Sequence, residues 1–173
     1  MSNPGKPRAK DSPLTLDAID WKVLHDLQMD GSLTHAELAR RYARSPNVMT
    51  QRIARMEKAG IITGYHARVN PRALGMPFTA IIRISVTRDR LKAITKTLKN
   101  RAEISEWYVG EGEGEAVTLI IKVHLTFIER VEDIVDLLAG YGTPYATVVL
   151  SSPVDGREIE RPGGRGAGGS ADI

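Results

Sequence analysis

The spacing of apolar residues changes once along this chain of 173 residues. Up to Ile62 they recur every three or four positions, which is the period of an amphipathic helix. From Phe78 onward, runs typical of strands are separated by two further helical stretches. A sequence with the helical period does not form a stable strand, and a sequence with the alternating strand period does not form a stable helix. The chain is therefore predicted to be α+β, with a helical first part and a mixed second part.

Three helices are predicted in the first part. The second begins at Thr34, where Glu37 completes a capping-box pattern. The third begins at Ser45, a favourable N-cap, and has Pro46 at its first position, where the missing N–H costs nothing. The first helix stops at Gly31 and the third at Gly60. The residues expected to face inward are Leu16, Ile19, Val23, Leu24 and Leu27, then Leu38, Ala39 and Tyr42, then Met49, Ile53 and Met56.

The turn Ala43-Arg44 between the second and third helices has the length found in a helix-turn-helix. Asn47 and Gln51 would then be exposed near the start of the third helix, where amides can pair with adenine and Val48 can contact a thymine methyl group. The surrounding arginines, Arg40 included, suit phosphates. The alternative is a solvated amphipathic helix. The predicted DNA contacts are Arg41, Arg44, Ser45, Asn47, Val48, Thr50, Gln51, Arg52 and Arg55.

Charge is distributed unevenly between the two parts. Residues 1–70 contain eleven Lys or Arg and seven Asp or Glu, whereas residues 71–155 contain ten and eleven. The positive excess favours a polyanionic partner for the first part, and double-stranded DNA is one; the alternative is a solvated basic surface.

The second part has the element order βαββαβ of a ferredoxin-like fold. Helices cover one face of such a sheet, yet Ile81 and Ile120 place apolar groups on the other, which predicts cover by a second subunit. The helices are expected to bury Leu91, Ile94 and Leu98, then Ile128, Val131, Ile134 and Leu138. The predicted strands are 78–86, 104–109, 117–125 and 145–151, and the predicted helices are 89–101 and 127–139.

A glycine-rich hairpin lies between the middle strands, and two interpretations of it stay open. It precedes a strand rather than a helix and carries three glutamates, so it is not a phosphate loop. It is either a solvated turn or an acidic rim that binds the ammonium group of an effector. Its residues are Gly110, Glu111, Gly112, Glu113, Gly114 and Glu115.

Other chemistry is not indicated. The chain has no cysteine, and its four histidines lack the spacing of metal ligands, so neither a metal site nor a cofactor is predicted. No catalytic residue is identified. The N-terminus lacks the apolar region of a signal peptide and no apolar run approaches the about 20 residues of a membrane span, so a cytoplasmic protein without a membrane partner is expected.

Composition and periodicity divide the chain into five segments. The predicted organisation is a disordered N-terminus over residues 1–12, a helix-turn-helix domain over 13–66, a linker over 67–77, a βαββαβ domain over 78–155 and a disordered tail over 156–173.

Residues 16–75 resemble the N-terminal, winged helix-turn-helix domain of the Lrp/AsnC (leucine-responsive/asparagine-type, feast/famine) transcriptional regulators. The match continues through Ser45-Pro46 and Arg52-Ile53 to Gly60-Ile61-Ile62, Gly64-Tyr65 and Leu74-Gly75. The βαββαβ part resembles the amino-acid-sensing domain of the family. The remaining matching residues are Leu16-Asp17, Asp20, Leu24, Leu27-Gln28, Asp30-Gly31, Glu37-Leu38-Ala39, Arg55 and Glu57.

The resemblance implies sequence-specific DNA binding as a homodimer, extended in many members to an octamer, and modulation by an amino acid. The chain departs from the family pattern at two places. Ala43-Arg44-Ser45 replaces the usual Gly-Leu-Ser before the third helix, and the aspartate of the usual Gly-x-x-Asp turn falls on Glu115 or Ala116, depending on where a gap is placed. The Gly-rich tail has no counterpart.

Two other functions are compatible with the same layout. Siroheme decarboxylases resemble it and are enzymes, and an architectural DNA-compacting protein would read little sequence. The basic, amide-bearing third helix favours the regulator.

Overall fold

The computed structural model describes residues 14–154 and 156–163. Its contacts divide the chain into two compact units, Met1–Arg68 with Gly156–Ile173 and Val69–Asp155. The predicted N-terminal segment 1–12 and the part of the tail from residue 164 lie outside the described residues. The predicted domain boundaries stay predictions, but the first unit also takes in residues 156–163, which were assigned to the tail.

The first unit contains three helices, α1 (Ala18–Met29), α2 (His35–Arg41) and α3 (Pro46–Lys58). The predicted start signals are confirmed. The Thr34 side chain accepts from the Glu37 N–H while Glu37 reaches back to Thr34, and Ser45 accepts from the Val48 N–H. The predicted inward positions are also confirmed, because the helices surround a fully enclosed cluster. It consists of Val23, Leu38, Ala39, Met49, Ile53 and Met56.

The second unit is a four-stranded antiparallel sheet with two helices. Its elements are a short 3-10 turn (Arg72–Leu74), β1 (Phe78–Thr87), α4 (Leu91–Leu98), β2 (Ile104–Glu111), β3 (Ala116–Leu125), α5 (Arg130–Ala139) and β4 (Pro144–Val148). The strand order is β2-β3-β1-β4, so the predicted ferredoxin-like arrangement is confirmed.

One face of this sheet packs against α4 and α5. Alternate residues of the two central strands enter the core together with two residues from each helix. Ile82 and Ile121, which pair across the centre, are completely buried. The full set is Ala80, Ile82, Ile84, Val86, Ile94, Leu98, Val117, Leu119, Ile121, Val123, Leu125, Ile134 and Leu138.

Both helices of the second unit are shorter than predicted. Neither begins with a capping side chain, because Arg90 and Glu129 stand at their N-cap positions and make no such hydrogen bond. Tertiary packing rather than a local signal therefore decides where they begin. The expected burial of Ile128 was wrong, since this residue precedes α5 and is exposed. The last strand also ends earlier than predicted, at Val148.

Candidate functional site

The turn that joins α2 to α3 is closed by backbone hydrogen bonds. Ala43 has a φ of 49°, its N–H donates to the Arg40 carbonyl, and the Arg44 N–H donates to the Ala39 carbonyl at 2.9 Å. This is a Schellman termination with alanine at the left-handed position, where glycine would be unstrained. The turn passes directly to the cap at Ser45 and so sets the direction of α3.

Opposite faces of α3 have different chemistry. Met49, Ile53 and Met56 are completely buried, which fixes the rotation of the helix about its axis. Asn47 and Gln51 therefore lie on the exposed side. The structure places three more of the predicted contact residues in exposed positions near the start of α3: Ser45, Val48 and Thr50.

A histidine that the sequence analysis missed is close to these residues. Nδ1 of His35, the first residue of α2, lies 3.0 Å from Oγ1 of Thr50 on α3. A hydrogen bond at this distance restrains the Thr50 side chain from outside its own helix. The two residues are fifteen positions apart, so no local pattern indicates the contact.

Arg52 and Arg55 bind carboxylates of their own chain. Arg52 Nη1 lies 2.6 Å from Asp17 Oδ2 and 2.8 Å from Asp20 Oδ1, and Arg55 Nη2 lies 2.7 Å from Asp20 Oδ2. Asp20 is completely buried. The guanidinium of Arg52 therefore joins α3 to the start of α1, and the DNA contact expected of this residue stays a prediction. Arg55 makes the same connection, with 46% of its side chain still exposed.

Asp17 also belongs to the start of α1. It caps the helix by accepting from the N–H groups of Ile19 and Asp20. The hydrogen bond from the Asp20 N–H, followed by that from Arg52, lowers the pKa of Asp17. The carboxylate is thus held ionised beside the arginine.

Arg41 has a partner as well. Its Nη1 lies 2.8 Å from Asp26 Oδ2, and the Tyr42 hydroxyl donates to the same oxygen at 2.6 Å. Burial, and then the hydrogen bond to Asp26, raises the pKa of Tyr42 to about 12. Arg40 and Arg44, by contrast, make no ion pair within residues 14–154 and 156–163, and both are exposed. These two arginines carry the unneutralised charge beside α3.

The predicted acidic hairpin joins β2 to β3. The Gly112 N–H donates to the Ala116 carbonyl at 3.2 Å, and Gly114 has a φ of 61°. A Cβ on Gly112 would lie 2.9 Å from Ala116 backbone atoms, so this close turn requires glycine. Glu113 and Glu115 are exposed within it.

Gly110 and Glu111 lie in a groove that the sequence analysis did not foresee. The groove has a volume of about 540 Å³ and also contains residues of β1 and β4. Arg83 lies there with its guanidinium carbon 6.0 Å from the ring centre of Tyr145. The register explains this, because Arg83 pairs with Tyr145, and Gly110 pairs with Thr118 on β3. Of the three hairpin glutamates, Glu111 therefore lines the same groove as a cation from another strand, Arg83.

The sheet face that carries no helix is amphipathic. Tyr108, Ile120, Arg83 and Tyr145 form one row across all four strands. Both tyrosines are more than half exposed and Ile120 is 40% exposed. In the next row Lys122 binds Glu106 at 3.1 Å. The expectation of apolar groups on this second face is therefore confirmed.

In the part of the chain that the structure describes, no helix is long and apolar enough to cross a membrane. In residues 14–154 and 156–163, no group of His, Cys, Asp or Glu is arranged to hold a metal ion.

Comparisons with known proteins agree with this geometry. A family described as winged helix-turn-helix DNA-binding matches residues 16–63. The chain is 33% identical to the leucine-responsive regulatory protein of Haemophilus influenzae over 116 residues, which are 65% of this chain and 70% of that protein. It is 30% identical to the transcriptional regulator LrpC of Bacillus subtilis over 156 residues, 88% of this chain and all of LrpC.

Solved structures give the same result. The structure of B. subtilis LrpC has a TM-score of 0.75 at 26% identity, covering 83% of this chain and 100% of LrpC. A transcriptional regulator of Neisseria meningitidis in complex with L-Met has a TM-score of 0.73 at 25% identity, covering 84% and 96%.

Fold and site together define a helix-turn-helix transcriptional regulator that binds DNA. Specifically, the chain belongs to the Lrp/AsnC family. The relatives named above are a leucine-responsive regulatory protein and two transcriptional regulators.

Proposed function

We propose that α3 enters the major groove of duplex DNA and that Asn47, Val48 and Gln51 contact base edges. The division of α3 into a buried face and a neutral, amide-bearing exposed face carries this proposal. Amide side chains can pair with adenine through two hydrogen bonds, and valine suits a thymine methyl group. Thr50, restrained by His35, and Ser45 lie beside these residues and suit the adjacent backbone.

Arg40 and Arg44 are assigned the main phosphate contacts. Their charges are not offset by an ion pair within the described residues, whereas the charge of Arg52 is offset by two carboxylates of α1. Arg41 and Arg55 keep about half of their side-chain surface exposed and contribute less, because each also binds a carboxylate.

Quantitative binding at several salt concentrations tests both assignments. On a duplex selected from random sequence, Arg44→Ala should reduce the slope of log K against log salt by about one. Gln51→Ala should keep the slope and weaken the preferred site by about 1–3 kcal/mol, with relaxed preference at one base pair. Lys96→Ala, on α4, is the control. If both variants bind like the control, α3 is not the contact helix.

We further propose that the second unit assembles the protein through its helix-free sheet face, with a second copy as the partner. The row of Tyr108, Ile120, Arg83 and Tyr145 offers apolar and aromatic area to a twofold partner. Two copies of α3 would then meet half-sites about one helical turn, or a multiple of it, apart. Dimers could associate further into octamers.

Light scattering of the full chain tests the dimer. Ile120→Glu should place a charge in the interface and give a monomer at micromolar concentration, whereas Lys96→Glu should remain dimeric. A wild-type monomer at that concentration, or an Ile120→Glu dimer, would contradict the assignment of this face.

The effector is proposed to be an amino acid bound at the β2–β3 hairpin. The groove there offers Arg83 to a carboxylate and Glu111 to an ammonium group. The N. meningitidis relative, solved in complex with L-Met, supports this ligand class. Glu113 and Glu115 add negative charge nearby, and backbone N–H groups of Gly110–Gly114 could also hold the carboxylate.

Calorimetry of the full chain against the twenty amino acids tests the effector. Binding should weaken in Glu111→Gln and in the double variant Glu113→Gln/Glu115→Gln, while Glu132→Gln, on α5, serves as the control. No binding at millimolar concentration, or equal binding by all variants, would leave the hairpin as a turn.

A regulator of this kind acts on chromosomal DNA, and we propose the cytoplasm as its compartment.

A further inference from the structure

The chain returns to its first unit after completing the second. Residues 156–163 belong with the helices α1 to α3, although they follow the whole βαββαβ unit in sequence. The segment 157–161, Arg-Glu-Ile-Glu-Arg, lies between Gly156 and the pair Pro162-Gly163. Ile159 is its one apolar residue. Residues 157–161 form neither a helix nor a strand, and chain-breaking residues lie on both sides of them.

Gln28, near the end of α1, binds both backbone groups of Ile159. Its Oε1 accepts from the Ile159 N–H at 2.9 Å, and its Nε2 donates to the Ile159 carbonyl at 3.2 Å. In an antiparallel sheet, a residue of the neighbouring strand makes the same two hydrogen bonds, one to the backbone N–H and one to the backbone carbonyl. The amide side chain offers the donor and the acceptor side by side, whereas an ionised glutamate would lack the donor.

An apolar groove continues from this contact. It has a volume of about 340 Å³, lies between α1 and the residues that follow α3, and has Ile159 at its rim. The Ile159 side chain is 77% exposed, so the segment is held by its backbone. The groove contains none of the proposed DNA contacts. Its apolar lining is formed by Leu16, Trp21, Leu24, Leu27, Ile61 and Ile62.

We propose that this surface of α1 is a peptide-docking site and that its occupant is segment 157–161 of the same chain. Covalent connection gives the segment a high effective concentration, so two hydrogen bonds suffice to keep it bound for much of the time. The docked segment lies against α1 and the groove beyond α3. It therefore braces the DNA-binding unit without covering Asn47 or Gln51.

Amide hydrogen exchange in the full chain tests the docking. The Ile159 N–H should exchange about tenfold more slowly than an unprotected amide in the wild type, and this protection should disappear in Gln28→Ala. Met29→Ala, an exposed neighbour, should keep the protection. Exchange of the wild-type Ile159 amide at the unprotected rate, or undiminished protection in Gln28→Ala, would overturn the proposal.

Substitution at Ile159 separates backbone from side-chain recognition. Ile159→Pro removes the N–H donor and should shift the NMR signals of the Gln28 side-chain amide to their undocked positions. Ile159→Ala keeps both backbone groups and should leave those signals near their wild-type positions. If Ile159→Ala shifts the Gln28 signals and Ile159→Pro does not, the apolar side chain holds the segment and recognition by Gln28 is overturned.

Mixed assemblies distinguish docking within one chain from docking onto a second copy. Isotope-labelled Gln28→Ala chains are refolded together with an excess of unlabelled wild type. Docking within the chain predicts that the labelled Ile159 amide stays unprotected. Recovered protection would show that the segment docks onto Gln28 of another copy, which would overturn the assignment to the same chain.

Discussion

The two units are stabilised in different ways. The second encloses thirteen apolar residues between its sheet and two helices, and no charged side chain is buried among its described residues. The first encloses only six apolar residues and also buries Asp20, which is bound by two arginines. Small domains bury a smaller fraction of their surface than large ones, so caps and ion pairs matter more to them. The comparison suggests that DNA-binding geometry depends on charges inside the first unit.

Each unit contains one of the two tryptophans. Trp21 lies in α1 and Trp107 lies in β2. In a Trp107→Phe background the fluorescence of Trp21 reports the unfolding of the first unit. In a Trp21→Phe background the fluorescence of Trp107 reports the unfolding of the second. This arrangement allows the comparison to be tested in the full chain.

The largest effect is expected at Asp20. Asp20→Ala should leave Arg52 and Arg55 without their buried partner and lower the free energy of unfolding of the first unit by about 3–5 kcal/mol. Urea titration followed by Trp21 measures this change. Asp17→Ala, at a half-exposed carboxylate, should cost about 1 kcal/mol. Equal losses in the two variants would contradict the idea that the first unit depends on a buried charge.

A core truncation in the second unit should come next. Leu119→Ala should lower the free energy of unfolding by about 2–5 kcal/mol, because its side chain is enclosed between sheet and helices. The matched control is Ile120→Ala, the next residue on β3, whose side chain points to the other face. At protein concentrations too low for dimers to form, this control should change the free energy of unfolding followed by Trp107 only a little. A larger loss of stability in Ile120→Ala than in Leu119→Ala would contradict the assignment of Leu119 to the buried face of the sheet.

Alkaline pH should affect the first unit through Tyr42. The folded-state pKa is raised from 10.0 to about 12, so the contribution of the proton on Tyr42 is present below pH 10 and is lost as pH rises towards 12. Tyr42→Phe should cost about 1–2 kcal/mol at neutral pH and reduce the loss of stability above pH 10. Tyr65 also has a raised pKa of about 12, so Tyr65→Phe serves as the comparison.

The smallest effect should be a gain. Ala43 adopts a left-handed conformation that costs an L-residue roughly 1–2 kcal/mol, so Ala43→Gly should stabilise the first unit by about 1 kcal/mol. Ala59, at the end of α3, has a φ of −77°, and Ala59→Gly should instead cost up to about 1 kcal/mol. Thermal unfolding of both variants measures the signs, and a loss in both would mean that Ala43 is not strained.

Local signals predicted much of the fold. Thr34, Ser45 and Pro46 mark helix starts because caps involve residues at most three positions apart. The buried positions of α3 follow from one period, and the alternation in β1 separates its two faces. The ends of α4 and α5 were not predictable in this way, since no capping side chain marks their starts.

The sequence by itself thus determined the elements, their buried faces, the family and the exposed position on α3 of the residues that we propose as base contacts. Only the tertiary structure decided which charges remain free there. Arg52 and Asp20 are 32 positions apart, Arg83 and Tyr145 pair across two strands, and Gln28 and Ile159 are 131 positions apart. A helix period or a cap depends on neighbours in the chain. The partner of a charge or an amide depends instead on how separate elements pack, which no local pattern specifies.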